Sequence, residues 1–252
     1  MTIPLQSSII YGPLDSRRFG KSLGINLLPV EGKLCSFDCI YCQYGKTDAD
    51  ASLSFPKAEE IKEAAEVYFQ EAVVKNTRID WIMLSGNGEP TLHPDFHRVI
   101  LILTELRDSF LPGIPIGILS NSSTCHRTDI RDSLSKLDGR FMKLDAGNTE
   151  CLKAVNRPLL ESYWKEVMGG LYHLPRIVLQ SMFVTGVFDN AVDAAVDEWI
   201  EVVRYIRPEA VQVYTTERPT AHEGVLPVSI ERLEAIANSL TAKTRIAAMV
   251  YD

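Results

Sequence analysis

Cys35, Cys39 and Cys42 stand within eight residues, Cys35-Ser36-Phe37-Asp38-Cys39-Ile40-Tyr41-Cys42, in a C-x3-C-x2-C spacing. Three thiols on one short loop point to metal or redox chemistry. As thiolates they could hold three irons of a cubane cluster and leave the fourth iron without a protein ligand, since a cluster held wholly by protein takes four cysteines. Structural zinc also wants four ligands, and the nearest histidine, His93, is about 50 residues away. The plain alternative is three small apolar side chains gathered in a core, because cysteine is often buried. Three at this spacing, flanked by aromatics, count against chance. Cys125 and Cys151 stand alone, so there is no second cluster, and five cysteines do not make a disulfide framework. His93, His97, His126, His173 and His222 show no ligand spacing.

A second stretch able to do chemistry is Ser85-Gly86-Asn87-Gly88-Glu89-Pro90. Two glycines allow a sharp turn and a close approach of backbone to a ligand, and Glu89 is an acceptor for an ammonium group. Alone it reads as an ordinary turn from strand to helix; in series with the cysteine loop it reads as a binding turn.

Both stretches need elements to position them. Short apolar runs predict strands at Gly24–Pro29, Ile79–Ser85, Ile114–Ser120, Arg140–Asp145, Ile177–Val184 and Ala210–Tyr214. Amphipathic stretches predict helices at Lys57–Lys75, Asp95–Asp108, Arg127–Leu137, Leu159–Leu171, Ala191–Ile206 and Ser229–Leu240. Pro56 and Pro94 fit first helical turns. Six strand–helix units in series imply parallel strands and right-handed crossovers. The fold class is therefore α/β, a partial (β/α)6 TIM-like barrel, with an open doubly wound sheet as the other arrangement that gives this alternation. No linker divides the 252 residues. We read one domain: an N-terminal hairpin over 1–23, the barrel over 24–240, and a strand or tail over 241–252. The run Arg245–Tyr251 has no assigned role.

With these elements in place, C-x3-C-x-aromatic-C after the first strand resembles the radical S-adenosylmethionine (SAM) superfamily. The segment Gly12-Pro13-Leu14-Asp15-Ser16-Arg17-Arg18-Phe19-Gly20-Lys21-Ser22-Leu23-Gly24-Ile25-Asn26, running on to Gly45, is similar to its wyosine-synthase-like Fe–S oxidoreductases. The resemblance implies that Cys35, Cys39 and Cys42 bind a 4Fe–4S cluster whose unique iron is chelated by SAM. It also implies that Tyr41 lines the adenine, and that Gly86, Asn87, Gly88, Glu89 and Pro90 match the superfamily's Gly-Gly-Glu-Pro motif for the SAM amino group. Asn87 replaces the second glycine, which a left-handed turn would accommodate. Ser120 and Asn121 fall where relatives carry Thr-Asn-Gly. Lys143, Asp145, Gln180 and Tyr214 lie at or near later strand ends. Lys143 and Asp145, two apart, point the same way, either to hold SAM or as a salt bridge at the barrel mouth.

The implied activity is reductive cleavage of SAM to a 5′-deoxyadenosyl radical that abstracts hydrogen from a substrate. A six-unit barrel leaves its side open, which favours a macromolecular substrate, peptide or protein or RNA. Glycyl-radical-enzyme activation is one version, and an Fe–S electron carrier or scaffold without SAM chemistry is the alternative of another class. The implied electron donor is a protein such as flavodoxin or ferredoxin. Composition bounds the rest. The charge of −7 argues against a broad basic surface for nucleic acid. Arg17 and Arg18 could meet an anionic partner or brace the hairpin. The longest aliphatic run, Val99–Leu103, is too short to cross a membrane, and the N-terminus lacks a signal-peptide pattern, so the expected location is cytoplasmic.

Overall fold

Branched and aromatic residues in short runs place seven parallel strands side by side in this computed structural model, which describes residues 3–47, 53–159, 163–218, 220 and 222–251. The parallel strands are β2 (Gly20–Ile25), β3 (Trp81–Leu84), β4 (Ile116–Ser120), β5 (Gly139–Lys143), β6 (Val178–Met182), β8 (Ala210–Tyr214) and β10 (Ala247–Tyr251). β1 (Ile10–Ser16) pairs antiparallel with β2, giving the order β1-β2-β3-β4-β5-β6-β8-β10 with β1 and β10 at its two ends. A small antiparallel pair, β7 (Val184–Gly186) and β9 (Val225–Pro227), lies apart.

Helices cover the outer face: α1 (Ala58–Val74), α2 (Phe96–Phe110), α3 (Thr128–Leu134), α4 (Thr149–Val155), α5 (Tyr163–His173), α6 (Asp193–Ile206) and α7 (Ile230–Thr244). Their apolar stripes make the main core. In α1 these are Ile61, Ala65, Phe69 and Ala72, and in α6 Val196, Trp199, Ile200 and Val203. Trp199 satisfies its buried N–H on the Leu144 carbonyl at 3.1 Å, pinning α6 under the end of β5.

The partial barrel of the sequence reading is the observed architecture, with four differences of detail. The first barrel strand is Gly20–Ile25 rather than 24–29, because pairing with β1 fixes it as the second arm of the hairpin. The Arg245–Tyr251 run supplies the seventh parallel strand, β10, against β8. The helix expected over Leu159–Leu171 is α5, starting at Tyr163 (160–162 lie outside the described residues), and a further short helix, α4, precedes it. Pro56 and Pro94 each stand one residue before an N-cap, Lys57 and Asp95, instead of inside the first turn.

Inside the barrel, the β1–β2 turn inserts Phe19 between Trp81 and Phe141, with ring centroids at 6.0 and 4.6 Å in edge-to-face geometry. With Met83 they form an apolar floor separate from the main core. The same turn reaches the end of β8, where Arg17 pairs with Glu217 at 3.0 Å and the Arg18 guanidinium lies 4.6 Å from the Tyr214 ring centre.

Candidate cluster and cofactor site

The cysteine loop leaves β2 and is held on both flanks by backbone hydrogen bonds. On one flank the Leu34 N–H donates to the Asn87 carbonyl at 2.9 Å and the Glu89 N–H donates to the Leu34 carbonyl at 3.1 Å. On the other, the Ile40 N–H donates to the Val155 carbonyl at 2.9 Å, and the Asp38 N–H reaches the Asn156 and Arg157 carbonyls. The loop is thus slung between the Gly86–Pro90 turn and the C-terminal end of α4. Gly88 is obligatory: its φ is +141°, and a Cβ there would sit 1.7 Å from the Leu34 carbonyl oxygen.

Cys35, Cys39 and Cys42 are partly exposed and line one cavity of about 460 Å³ together with Lys33, Glu89, Asn121 and Lys143. The Asn121 amide donates to the Cys35 sulfur at 3.4 Å, and the Asn156 amide to the Cys39 sulfur at 3.5 Å. Burial pushes the Cys35 thiol up to about 12 and raises Cys39 as well. A thiolate here needs positive charge beside it, which iron would supply and which Lys33 supplies in part. Lys33 donates to the Gly45 carbonyl at 2.7 Å and lies 3.7 Å from Asp38. Burial works to lower its ammonium, but Cys42 and Cys35 outweigh this and hold it above the ordinary value. Among the described residues no three His, Cys, Asp or Glu donors converge on a single ion. A cubane instead takes each sulfur on a different iron, and soft sulfur donors with amide N–H groups aimed at them suit such a cluster.

Glu89 is buried and accepts from the Thr91 N–H and hydroxyl, the Ser120 hydroxyl at 2.9 Å and the Asn121 N–H at 2.5 Å. Burial raises its carboxyl; these donors pull the other way. Oε2 accepts only from Asn121, so it retains a lone pair for an incoming donor. The carboxylate thereby fixes Ser120 and Asn121, as well as lining the cavity. Pro90 opens a short 3-10 turn (Pro90–Leu92) capped by Glu89. Asn87 differs from expectation. The positive φ values fall on Gly86 and Gly88, not on Asn87, whose side chain turns away to bind Gln6 and the Pro29 carbonyl.

Lys143 and Asp145 do share a face, 3.6 Å apart. Asp145 is saturated by the chain: it accepts from the Tyr41 hydroxyl, the Asn156 amide at 2.6 Å and the Met182 N–H at 2.8 Å. Lys143 faces the cavity, 5.0 Å over the Tyr41 ring and 3.2 Å from the Tyr214 hydroxyl. Burial would lower its ammonium, but Asp145 and Tyr214 hold it above its ordinary value. Gln180 also lines this cavity while donating to Gln212, its register partner on the neighbouring strand β8, at 2.7 Å. A second cavity of about 490 Å³ adjoins the first, and the two share eleven lining residues, among them Arg18, Tyr41, Cys42, Tyr214 and Arg218.

Sequence reasoning missed Lys33 and Asn156. Lys33 stood two residues before Cys35 and could have been flagged as a cation next to thiolates. Asn156 carried no local signal, being the C-cap of an unforeseen helix. Cys125 and Cys151 lie outside both cavities, buried. His93 braces the Pro56 carbonyl at 2.8 Å, and His97 binds Ser133.

Residues 32–203 match the Radical SAM superfamily. A UPF0026 protein of Helicobacter pylori strain J99 is 30% identical over 226 residues, covering 86% of this chain and 68% of that protein. A protein named GTPase Obg from Brachyspira hyodysenteriae is 30% identical over 236 residues, 91% of this chain, but the chain spans only about a third (33%) of its length. Among solved structures, a radical SAM methyltransferase from Sphaerobacter thermophilus superposes with a TM-score of 0.66 at 17% identity, over 91% of this chain and 65% of that one, a likeness of fold. Among the described residues no helix is long and apolar enough to cross a membrane. The thiol loop, the glycine turn beside it and the half-closed barrel that carries them have a common explanation: the chain belongs to the radical SAM superfamily, in its UPF0026 group.

Proposed function

We propose that Cys35, Cys39 and Cys42 hold a 4Fe–4S cluster, that SAM occupies the adjoining cavity, and that a substrate in the second cavity gives up a hydrogen atom. When bound, the cluster supplies the electron that cleaves SAM reductively to methionine and a 5′-deoxyadenosyl radical. The observation that carries this reading is that the three thiols and the Gly86–Pro90 turn wall one cavity, which opens into a second. An electron carrier needs no such second cavity.

The chain's own groups divide the work. Asn121 and Asn156 donate to cluster sulfurs and, with Lys33, favour the thiolate form. The glycine turn lets backbone approach a ligand, and the free lone pair of Glu89 is an acceptor for the SAM ammonium. Lys143 is a cation for the SAM carboxylate or a donor for ribose oxygens, between the aromatic walls Tyr41 and Tyr214. The Phe19–Trp81–Phe141 floor keeps water from below. We take a small one-electron protein, flavodoxin or ferredoxin, as the reductant.

The expectation of a macromolecular substrate rested on an uncovered barrel. The β1–β2 turn supplies cover, so the reading requires only that the reacting portion of the substrate, whether a small molecule or one side chain of a peptide, fits about 490 Å³. The test is anaerobic reconstitution followed by reduction in the presence of SAM. Formation of 5′-deoxyadenosine and methionine, lost on replacing any loop cysteine, is expected. A folded protein with bound iron that never cleaves SAM, with or without candidate substrates, would move the chain to the electron-carrier class.

A further inference from the structure

Arg18 is the one group of the hairpin turn whose placement the family reading leaves unexplained. It is half-buried, and its Nη1 is fully enclosed with no hydrogen-bond partner. Its guanidinium stacks 4.6 Å from the Tyr214 ring centre and 5.5 Å from that of Phe19. Among the described residues no carboxylate or carbonyl accepts from it. Nearby carboxylates are engaged by its neighbours instead: Glu217 by Arg17 at 3.0 Å and Asp15 by Lys21 at 2.8 Å. An enclosed guanidinium N–H without an acceptor is costly. Arg18 lines both cavities, the one with the three thiols and the one beyond it.

We propose that Arg18 anchors a carboxylate group of the substrate, fixing it in the second cavity so that a neighbouring C–H faces the SAM site. This rests on the reading of the two cavities given above. The chemistry favours a carboxylate over a phosphate. One planar guanidinium matches two carboxylate oxygens in a bidentate pair. The rim carboxylates Asp15 and Glu217 oppose a phosphate dianion more than a carboxylate monoanion, with Arg218 as a second cation lining both cavities. Arg17 and Lys21, by contrast, are spent on their own ion pairs and serve the hairpin.

The test uses the anaerobically reconstituted protein, titrated calorimetrically at fixed ionic strength with succinate, glycerol 2-phosphate and SAM. Succinate should bind saturably and more tightly than glycerol 2-phosphate. Arg18→Gln should weaken succinate at least about tenfold, the scale of one charge-assisted hydrogen bond, Arg18→Lys by less, and Arg17→Gln not at all. SAM affinity should be unchanged in Arg18→Gln. The midpoint of thermal unfolding of Arg18→Gln should equal or exceed that of the parent, because an enclosed guanidinium N–H without an acceptor is removed; a bracing role would lower it. Equal succinate binding in Arg18→Gln, no saturable succinate binding to the parent, tighter phosphate, or a matching loss of SAM would each overturn the assignment. Iron content and SAM cleavage, measured on the same preparation, report separately on the cluster reading.

Discussion

Cys35, partly exposed, and Cys125, buried, both have thiols pushed up to about 12 by desolvation, yet their hydrogen bonds run in opposite senses. The sulfur of Cys35 accepts from the Asn121 amide and that of Cys39 from Asn156. Cys125 instead donates its S–H to the Ser122 carbonyl at 2.8 Å, and Cys151 points its S–H at the Asp145 carbonyl at 4.0 Å. A sulfur surrounded by donors is prepared to be a thiolate and a ligand; a sulfur facing carbonyl oxygens is prepared to stay a thiol. A raised thiol alone therefore does not separate working cysteines from packing ones. The direction of the hydrogen bond does, together with the partial exposure of the loop cysteines.

The largest effect should come from removing the accepting sulfurs. Cys35→Ala, Cys39→Ala and Cys42→Ala together should take the reconstituted protein from about four irons per chain to none, while Cys125→Ala and Cys151→Ala should leave iron and sulfide unchanged by elemental and sulfide assay. Retained iron in the triple variant would erase the distinction. Gly88→Val attacks the loop from its flank. A Cβ there meets the Leu34 carbonyl, so the loop must shift. Circular dichroism should show a retained fold, while iron retention and SAM binding fall steeply.

Glu89→Ala should be milder, weakening SAM by about tenfold in calorimetry, because it loses an acceptor and frees Ser120 and Asn121. An unchanged affinity would confine Glu89 to bracing. The smallest effect is in alkali. Cys125 and Cys151 have folded values near 12 against an ordinary 9, so below 9 their contribution is fully present, and it is lost as pH rises through about 12. The unfolding free energy from denaturant titration should decline between these limits, by no more than about 1.4 kcal/mol per pH unit for each thiol, and Cys125→Ala should flatten the decline. A decline of unaltered slope in that variant would mean that other groups dominate.

Much of this was legible in the chain itself. Parallel strands need buried apolar runs, so six of them stood out, and the three cysteines announced their loop by spacing. What escaped notice depends on distance in sequence. α4 has seven residues, too few for a clear helical stripe, and its last turn acquires meaning only by receiving the Asp38 and Ile40 amides. Asn156 binds Cys39, a partner 117 residues away. Asn87 was read as part of a cofactor turn, whereas its amide ties Gln6 to Pro29, a task that no neighbour in sequence betrays. The short β10 gave a run too brief to classify until β8 paired with it.

The apolar floor has a consequence for how such a protein can change over generations. The main core takes the apolar stripes of the helices, whereas among the described residues Phe19, Met83 and Phe141 form a small separate buried apolar cluster inside the barrel. Stability is therefore vested mostly in the helical layer, with Phe37 and Tyr41 as main-core residues that also wall the first cavity. A substitution at an inward position such as Leu119 leaves the helical layer untouched, so new specificities could be sampled there with little risk of unfolding. Gln180 and Gln212, by contrast, would have to change together because each satisfies the other.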